Sequence, residues 1–283
     1  PSEKLMKFLY HHPFGKSFFL PMAKRKWISK FYGRKMNHKK SARKIKEFIA
    51  SQKIDMTESV KDRKDFRTFN DFFARKLKPE SRPIGQGLVS PGDGKLIAFA
   101  NVNDLKHFYV KGSDFTLKAF LQDSDLSEKY RSYSLLILRL APNDYHRFHF
   151  PFAGIPSELT KIKGIYYSVS PIALTKRFAR VFLENKREFC ELHTKEVGEI
   201  LIAPVGATMV GSIHQSFNAG EAVKKGDEMG YFTFGGSSIV MLVDSSKIEI
   251  DPDLLENTAN KFETAVKMGE QIGKKTQALL HSK

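Results

Sequence analysis

Residues 235–243 read Gly235-Gly236-Ser237-Ser238-Ile239-Val240-Met241-Leu242-Val243. From Ile239 onward every position is apolar instead of alternating, and several side chains are β-branched. That is the pattern of a strand buried on both faces. Similar segments lie upstream: Tyr133 to Leu140, Glu199 to Ala203, Thr208 to Ile213 and Gly230 to Phe234 read as strands between Gly and Pro punctuation. Before about residue 85 the chain is rich in Lys and Arg and reads as helical. Helices are expected over 41–51, with Ile45, Phe48 and Ile49 on one face, and over 69–76, ended by Pro79 and Pro83. Residues 253–273 also read as a helix, with Leu254, Leu255, Ala259, Phe262, Ala265, Val266 and Met268 as its apolar positions. The expected fold class is α+β. A helical, basic N-terminal region (1–85) precedes a β-rich domain (86–283) of short, mostly antiparallel strands closed by a C-terminal helix.

The 283 residues are 41% hydrophobic and 28% charged, the composition of a globular chain with a substantial core. The longest apolar runs, Leu135–Leu138 and Ile239–Val243, are far too short to span a bilayer. Cys190 is the sole cysteine, so there is no intrachain disulfide and no Cys-rich zinc site, which fits a reducing compartment. No signal peptide is evident, and Pro1 suggests a native start further upstream. The net charge of +16 should attract nucleic acid, anionic lipid or an acidic partner. Near the N-terminus, Leu5, Phe8, Leu9, Phe18, Phe19, Leu20, Trp27 and Phe31 lie among lysines and arginines, interrupted by Pro13, Gly15 and Pro21. Such a segment suits the lipid interface, where rings enter the headgroup boundary and cations meet phosphates. The same apolar residues could equally pack on the protein's own core.

Three segments could carry chemistry. Gly235 and Gly236 leave the Gly236 carbonyl open to approach, and the adjacent Ser237 hydroxyl can attack it, shifting the acyl group from nitrogen to oxygen. β-Elimination of the ester and hydrolysis would leave a pyruvoyl group at residue 237. A tight turn before a buried strand explains the same residues without chemistry. A hydroxyl needs a base, and Asp144-Tyr145-His146-Arg147-Phe148-His149 offers two imidazoles. Their odd spacing puts them on opposite faces of an extended segment. A metal pair or structural histidines are the competing readings. In Ser90-Pro91-Gly92-Asp93-Gly94, Asp93 is either an ordinary turn residue or the acid that would orient the base in an Asp93-His149-Ser237 relay.

Taken together, these segments resemble the phosphatidylserine decarboxylase family over about Phe69 to Val243. The likeness runs in order through Phe69-Asn70-Asp71-Phe72-Phe73-Ala74-Arg75-Lys76-Leu77-Lys78-Pro79, Arg82-Pro83-Ile84, the Asp93 turn, Lys111-Gly112, the histidine motif, Asn185-Lys186-Arg187, Val205-Gly206-Ala207 and Gly235-Gly236-Ser237-Ser238. Ser170 departs from the asparagine that many members carry there. The resemblance implies that Ser237 is the cleavage nucleophile and later a self-generated covalent pyruvoyl cofactor, and that His149 is the base with Asp93 its partner. His146 would then serve the decarboxylation step. Cutting between Gly236 and Ser237 would leave a large fragment, 1–236, and a small one, 237–283, that stay associated as a heterodimer, with higher homo-oligomers left open. The implied reaction converts phosphatidylserine to phosphatidylethanolamine through a Schiff base.

The implied setting is a peripheral protein on an anionic membrane surface, such as the inner face of a bacterial cytoplasmic membrane or an organelle membrane. The rivals are a non-enzymatic basic membrane-binding β domain, a zinc hydrolase using His146 and His149, and a pyruvoyl decarboxylase of another amino acid. No nucleic-acid motif is present, so nucleic acid is not expected as a partner.

Overall fold

The computed structural model describes residues 3–23, 26–105, 115–207, 212–235 and 237–276. The apolar run Ile239–Val243 belongs to the strand Ser237–Val243, which lies in the middle of an eight-stranded sheet. It pairs antiparallel with Ser134–Leu140 on one side and Glu199–Gly206 on the other, so that Ser237 faces Leu140 and Gly206. The sheet extends outward through Gly94–Phe99 to Thr264–Val266 and, at the other edge, through Arg187–His193 to Ile155–Pro156 and Thr160–Ile162. All pairings between these strands are antiparallel. Ile239 to Val243 are almost completely buried. Each side chain contributes about 1.5–3 kcal/mol. Covering on both faces explains why the run does not alternate.

Two smaller sheets finish the β architecture. One joins Leu88–Val89, Gln271–Lys275 and Ile248–Ile250; the other joins Arg147–His149, Glu228–Phe232 and Ile213–Gln215. The expected strand over 208–213 falls mostly outside the described residues, as do Lys111 and Gly112. The C-terminal helix is present but short, Pro252–Ala259. Beyond it the chain turns at Lys261, which has a φ of 67°, and returns as two strands. Val266, which fits a helical stripe, is instead a buried strand residue, and Ile272 in the last strand is buried as well.

The basic N-terminal region is helical over Glu3–His11, Leu20–Ala23, Lys26–Met36 and Ile45–Gln52, with a tighter turn, Lys39–Lys44, leading into the last. Its apolar residues divide between the two readings. Tyr10 and Leu20 are buried in the main core, and the Tyr10 hydroxyl accepts from the Ser168 amide at 2.9 Å. Phe14, Phe18 and Phe31 are 52%, 66% and 65% exposed, and the Phe14 and Phe18 rings touch at 4.7 Å.

The helix over Phe69–Phe73 starts where Thr68 caps the Asp71 amide at 3.1 Å. It ends earlier than expected because Ala74 leaves helical geometry and gives its carbonyl to Arg147 Nε at 2.9 Å. Met36, Ile45, Phe66, Phe69, Phe72 and Phe73 form a second small core. Phe234 plugs into it, with ring centroids 4.9 Å from Phe69 and 5.1 Å from Phe73. The Phe234 amide also donates to Asn70 Oδ1 at 3.0 Å. The helical region therefore grips the chain just before residue 237.

Candidate active site

Ser237 begins the central strand, with its Oγ buried and without a hydrogen-bond partner. Gly235, two residues earlier, has a φ of 143°, a conformation that favours glycine. Gly236 itself, the other half of the expected cleavage site, lies outside the described residues. Opposite Ser237, the Gly206 carbonyl accepts from Asn185 Nδ2 at 2.8 Å, and the same side chain bonds both backbone groups of Tyr167. Asn185 and the fully buried Arg187, whose guanidinium donates to the carbonyls of Phe120, Ala119, Leu183 and Asn185, brace the strand framework. Ser170 caps the helix Pro171–Glu184, its hydroxyl accepting from the Ala173 amide at 3.4 Å.

Buried polar groups without partners are expensive and concentrate where function requires them. Among the described residues the buried side-chain atoms in this condition are Arg75 Nε and Nη1, His146 Nε2, Ser237 Oγ and Ser238 Oγ. His146 is fully buried, and its ring centroid is 3.9 Å from that of Phe73. Its Nδ1 lies 2.9 Å from the Asp144 carbonyl, so Nδ1 carries the hydrogen and Nε2 a bare lone pair. Burial, aided by the charge of Arg75, pushes the His146 pKa down to about 3, although the nearby Asp144 and Gly235 backbone favours the protonated form. The imidazole is neutral at ordinary pH.

His149 sits at the end of the strand Arg147–His149, where its amide donates to the Pro91 carbonyl at 2.8 Å. Its Nδ1 donates to the Gly226 carbonyl at 2.9 Å, leaving Nε2 to accept from the Tyr145 hydroxyl at 3.1 Å. Burial lowers its pKa as well. Arg147, between the histidines, is locked to both carboxylate oxygens of Glu228 at 2.7 and 2.8 Å.

Asp93 is held in place by other groups. Arg82 Nη2 and Nε donate to it at 2.6 and 2.9 Å, and the Met268 amide at 2.8 Å. Arg82 also binds Glu58 at 2.9 Å. The Asp93 turn and His149 are thus joined through backbone, and the Asp93 charge reaches both imidazoles. The carboxylate itself bonds Arg82 where the expected relay has it on His149. Among the described residues, no group of three His, Cys, Asp or Glu side chains is placed to hold a metal ion.

Residues 69–274 match the family described as phosphatidylserine decarboxylase. The chain belongs to this family. It is 48% identical over 274 residues to the phosphatidylserine decarboxylase proenzyme of Fusobacterium nucleatum, covering 96% of this chain and 91% of that protein. It is 45% identical to the proenzyme of Clostridium novyi, covering 96% and 93%. The phosphatidylserine decarboxylase match takes in Arg75, Arg82, Asp93, Tyr145, His146, His149 and Ser237. Reading the sequence alone gave Arg75, Arg82 and Tyr145 no role. All three lie within the family motifs over 69–79, 82–84 and 144–149, and only their burial and their partners, or lack of them, single them out.

Proposed function

We propose that this member of the family cuts itself between Gly236 and Ser237 and that residue 237 becomes its pyruvoyl group. The enzyme decarboxylates phosphatidylserine in phospholipid biosynthesis. What supports residue 237 as the position is the set of partnerless buried atoms on Arg75, His146, Ser237 and Ser238. A neutral imidazole and a dry hydroxyl at the start of a rigid central strand suit self-cleavage and then a reactive carbonyl, and an unpaired guanidinium suits an anionic substrate.

In the precursor, Ser237 Oγ attacks the Gly236 carbonyl and a histidine takes the hydroxyl proton. The peptide C–N bond breaks, giving an ester. Loss of the Ser237 α-proton then releases the Gly236 carboxylate and leaves a dehydroalanine, whose imine tautomer takes up water and loses ammonia to leave the pyruvoyl group on fragment 237–283. When formed, that group supplies a conjugated carbonyl that takes up the electrons left when carbon dioxide departs. His149 is the proposed base, with Asp93 supporting its charge from the adjoining turn and Tyr145 holding the ring in the interim. His146 Nε2 is proposed to take a proton from the incoming ammonium and to return one to the α-carbon. A second reading exchanges the histidines. It is favoured by the bare Nε2 of His146 and its nearness to Gly235, whereas both His149 nitrogens are occupied.

Mass spectrometry of the purified, active protein should find fragments 1–236 and 237–283 held together, and a hydrazine reagent should label only the second. An unlabelled, intact chain with full activity would overturn the proposal. The two fragments are expected to stay paired because the small one contains the central strand.

The exposed Phe14, Phe18 and Phe31 and their neighbouring cations are proposed to seat the enzyme on an anionic bilayer as a peripheral protein. No helix among the described residues is long and apolar enough to cross a membrane. Each cation near such a surface contributes about 1 kcal/mol, screened by salt. Vesicle binding should therefore weaken as salt rises and as anionic lipid is diluted with neutral lipid. Binding indifferent to both would remove this part of the proposal.

A further inference from the structure

Arg75 is a buried cation with no acid of its own among the described residues. It is 5% exposed, its guanidinium carbon lies 5.4 Å from the Phe72 ring centroid, and Nε and Nη1 have no partner. The acids whose charges reach it, Asp93 and Glu58, are both hydrogen-bonded to Arg82. Burial pulls its pKa down, but an arginine stays charged at any physiological pH. A charge taken out of water without a counter-ion is strongly unfavourable, which makes this position a receptor for an anion.

The segment carrying Arg75 is strapped to both halves of the site. The Phe73 ring packs against that of His146 at a tilt of 47°, the Ala74 carbonyl holds Arg147, and Asn70 holds the amide of Phe234. The charge of Arg75 reaches His146, so an anion bound at Arg75 would lie on the His146 side of the site.

Building on the site assignment above, we infer that Arg75 binds the phosphodiester of the phosphatidylserine headgroup. The substrate offers two anions, the carboxylate and the phosphodiester. A cation on the carboxylate would stabilise the ground state and lose its partner as carbon dioxide forms, which slows the step. A cation on the phosphodiester keeps its partner throughout and adds binding without opposing the chemistry. Only the β-carbon and one oxygen separate the α-carbon from phosphorus, so one buried pocket can hold both ends. A buried arginine offers a planar set of donors that matches phosphate oxygens.

The test uses the self-cleaved enzyme and a water-soluble short-chain phosphatidylserine, so it reads Arg75 separately from the cutting chemistry. Arg75→Gln should raise KM about 10- to 100-fold with kcat changed much less, and Arg75→Lys should raise it by a smaller factor. Short-chain phosphatidylethanolamine keeps the phosphodiester and lacks the carboxylate. Its inhibition constant should rise by the same factor as KM. An unchanged KM overturns the inference. So does a raised KM with product inhibition unaltered, because the anion held would then be the carboxylate. If neither variant cuts itself, although circular dichroism shows both folded, Arg75 serves the precursor and the inference fails.

Discussion

Ser237→Ala should leave one uncut polypeptide with no decarboxylase activity at all. The substitution removes the sole oxygen that can attack the Gly236 carbonyl and, with it, the precursor of the reactive carbonyl. Both losses follow from one atom, so no partial activity is expected. The fold should survive. Ser237 Oγ is buried without a partner, so its removal sacrifices no hydrogen bond and relieves a desolvated hydroxyl. Its strand keeps its pairings with Leu140 and Gly206, which are backbone contacts. Thermal stability should stay within about 1 kcal/mol of the uncut wild-type chain or improve on it. Gel mobility, intact mass and a carbon dioxide release assay on one preparation read all three. Activity in the folded variant would end the assignment of residue 237.

The second large effect separates the two histidines. His149→Ala should block cutting, leaving intact chain, whereas His146→Ala should still cut but decarboxylate slower by roughly 10²- to 10⁴-fold. The opposite pattern would assign the base to His146 and support the exchanged reading. Acid should add a signature of its own. The unfolded chain binds a proton near pH 6.5, but folded His146 refuses it until about pH 3. The unfolded state therefore holds more protons between these values, and stability falls as pH drops through that window. Urea midpoints measured between pH 7 and pH 4.5 should fall less steeply in His146→Gln than in the wild type, since glutamine cannot titrate. Equal slopes would mean that His146 is not the buried neutral group described here.

Much of the site was legible because it is written in short, contiguous pieces. Ser237 stands out by following two glycines and preceding an uninterrupted apolar run; His146 and His149 stand out by their spacing, and Asp93 by its turn. The C-terminal region was misjudged in extent for an equally local reason. Leu254, Leu255, Ala259, Phe262, Ala265, Val266 and Met268 keep a helical period across what is in fact a short helix, a turn and a strand, and sheet pairing with Gly94–Phe99 outweighs the pattern. Arg75 and Arg82 read as two more cations in a Lys/Arg-rich stretch. One is unpaired and buried, the other holds Asp93, and nothing in their neighbours' identities tells them apart.

The order of residues alone determined the α+β class, the central strand, the family motifs and which groups are proposed to react, because hydrophobic period, turn chemistry and nucleophilicity are properties of neighbouring residues. Tertiary structure alone decided that Asp93 bonds Arg82, that His149 is engaged by Tyr145 and Gly226, that Phe234 is gripped by the helical region, and that Arg75 is left without an acid among the described residues. Those outcomes depend on which distant side chains share a desolvated space, and burial, which sets the strength of every charge and hydrogen bond, exists only once the chain has closed on itself.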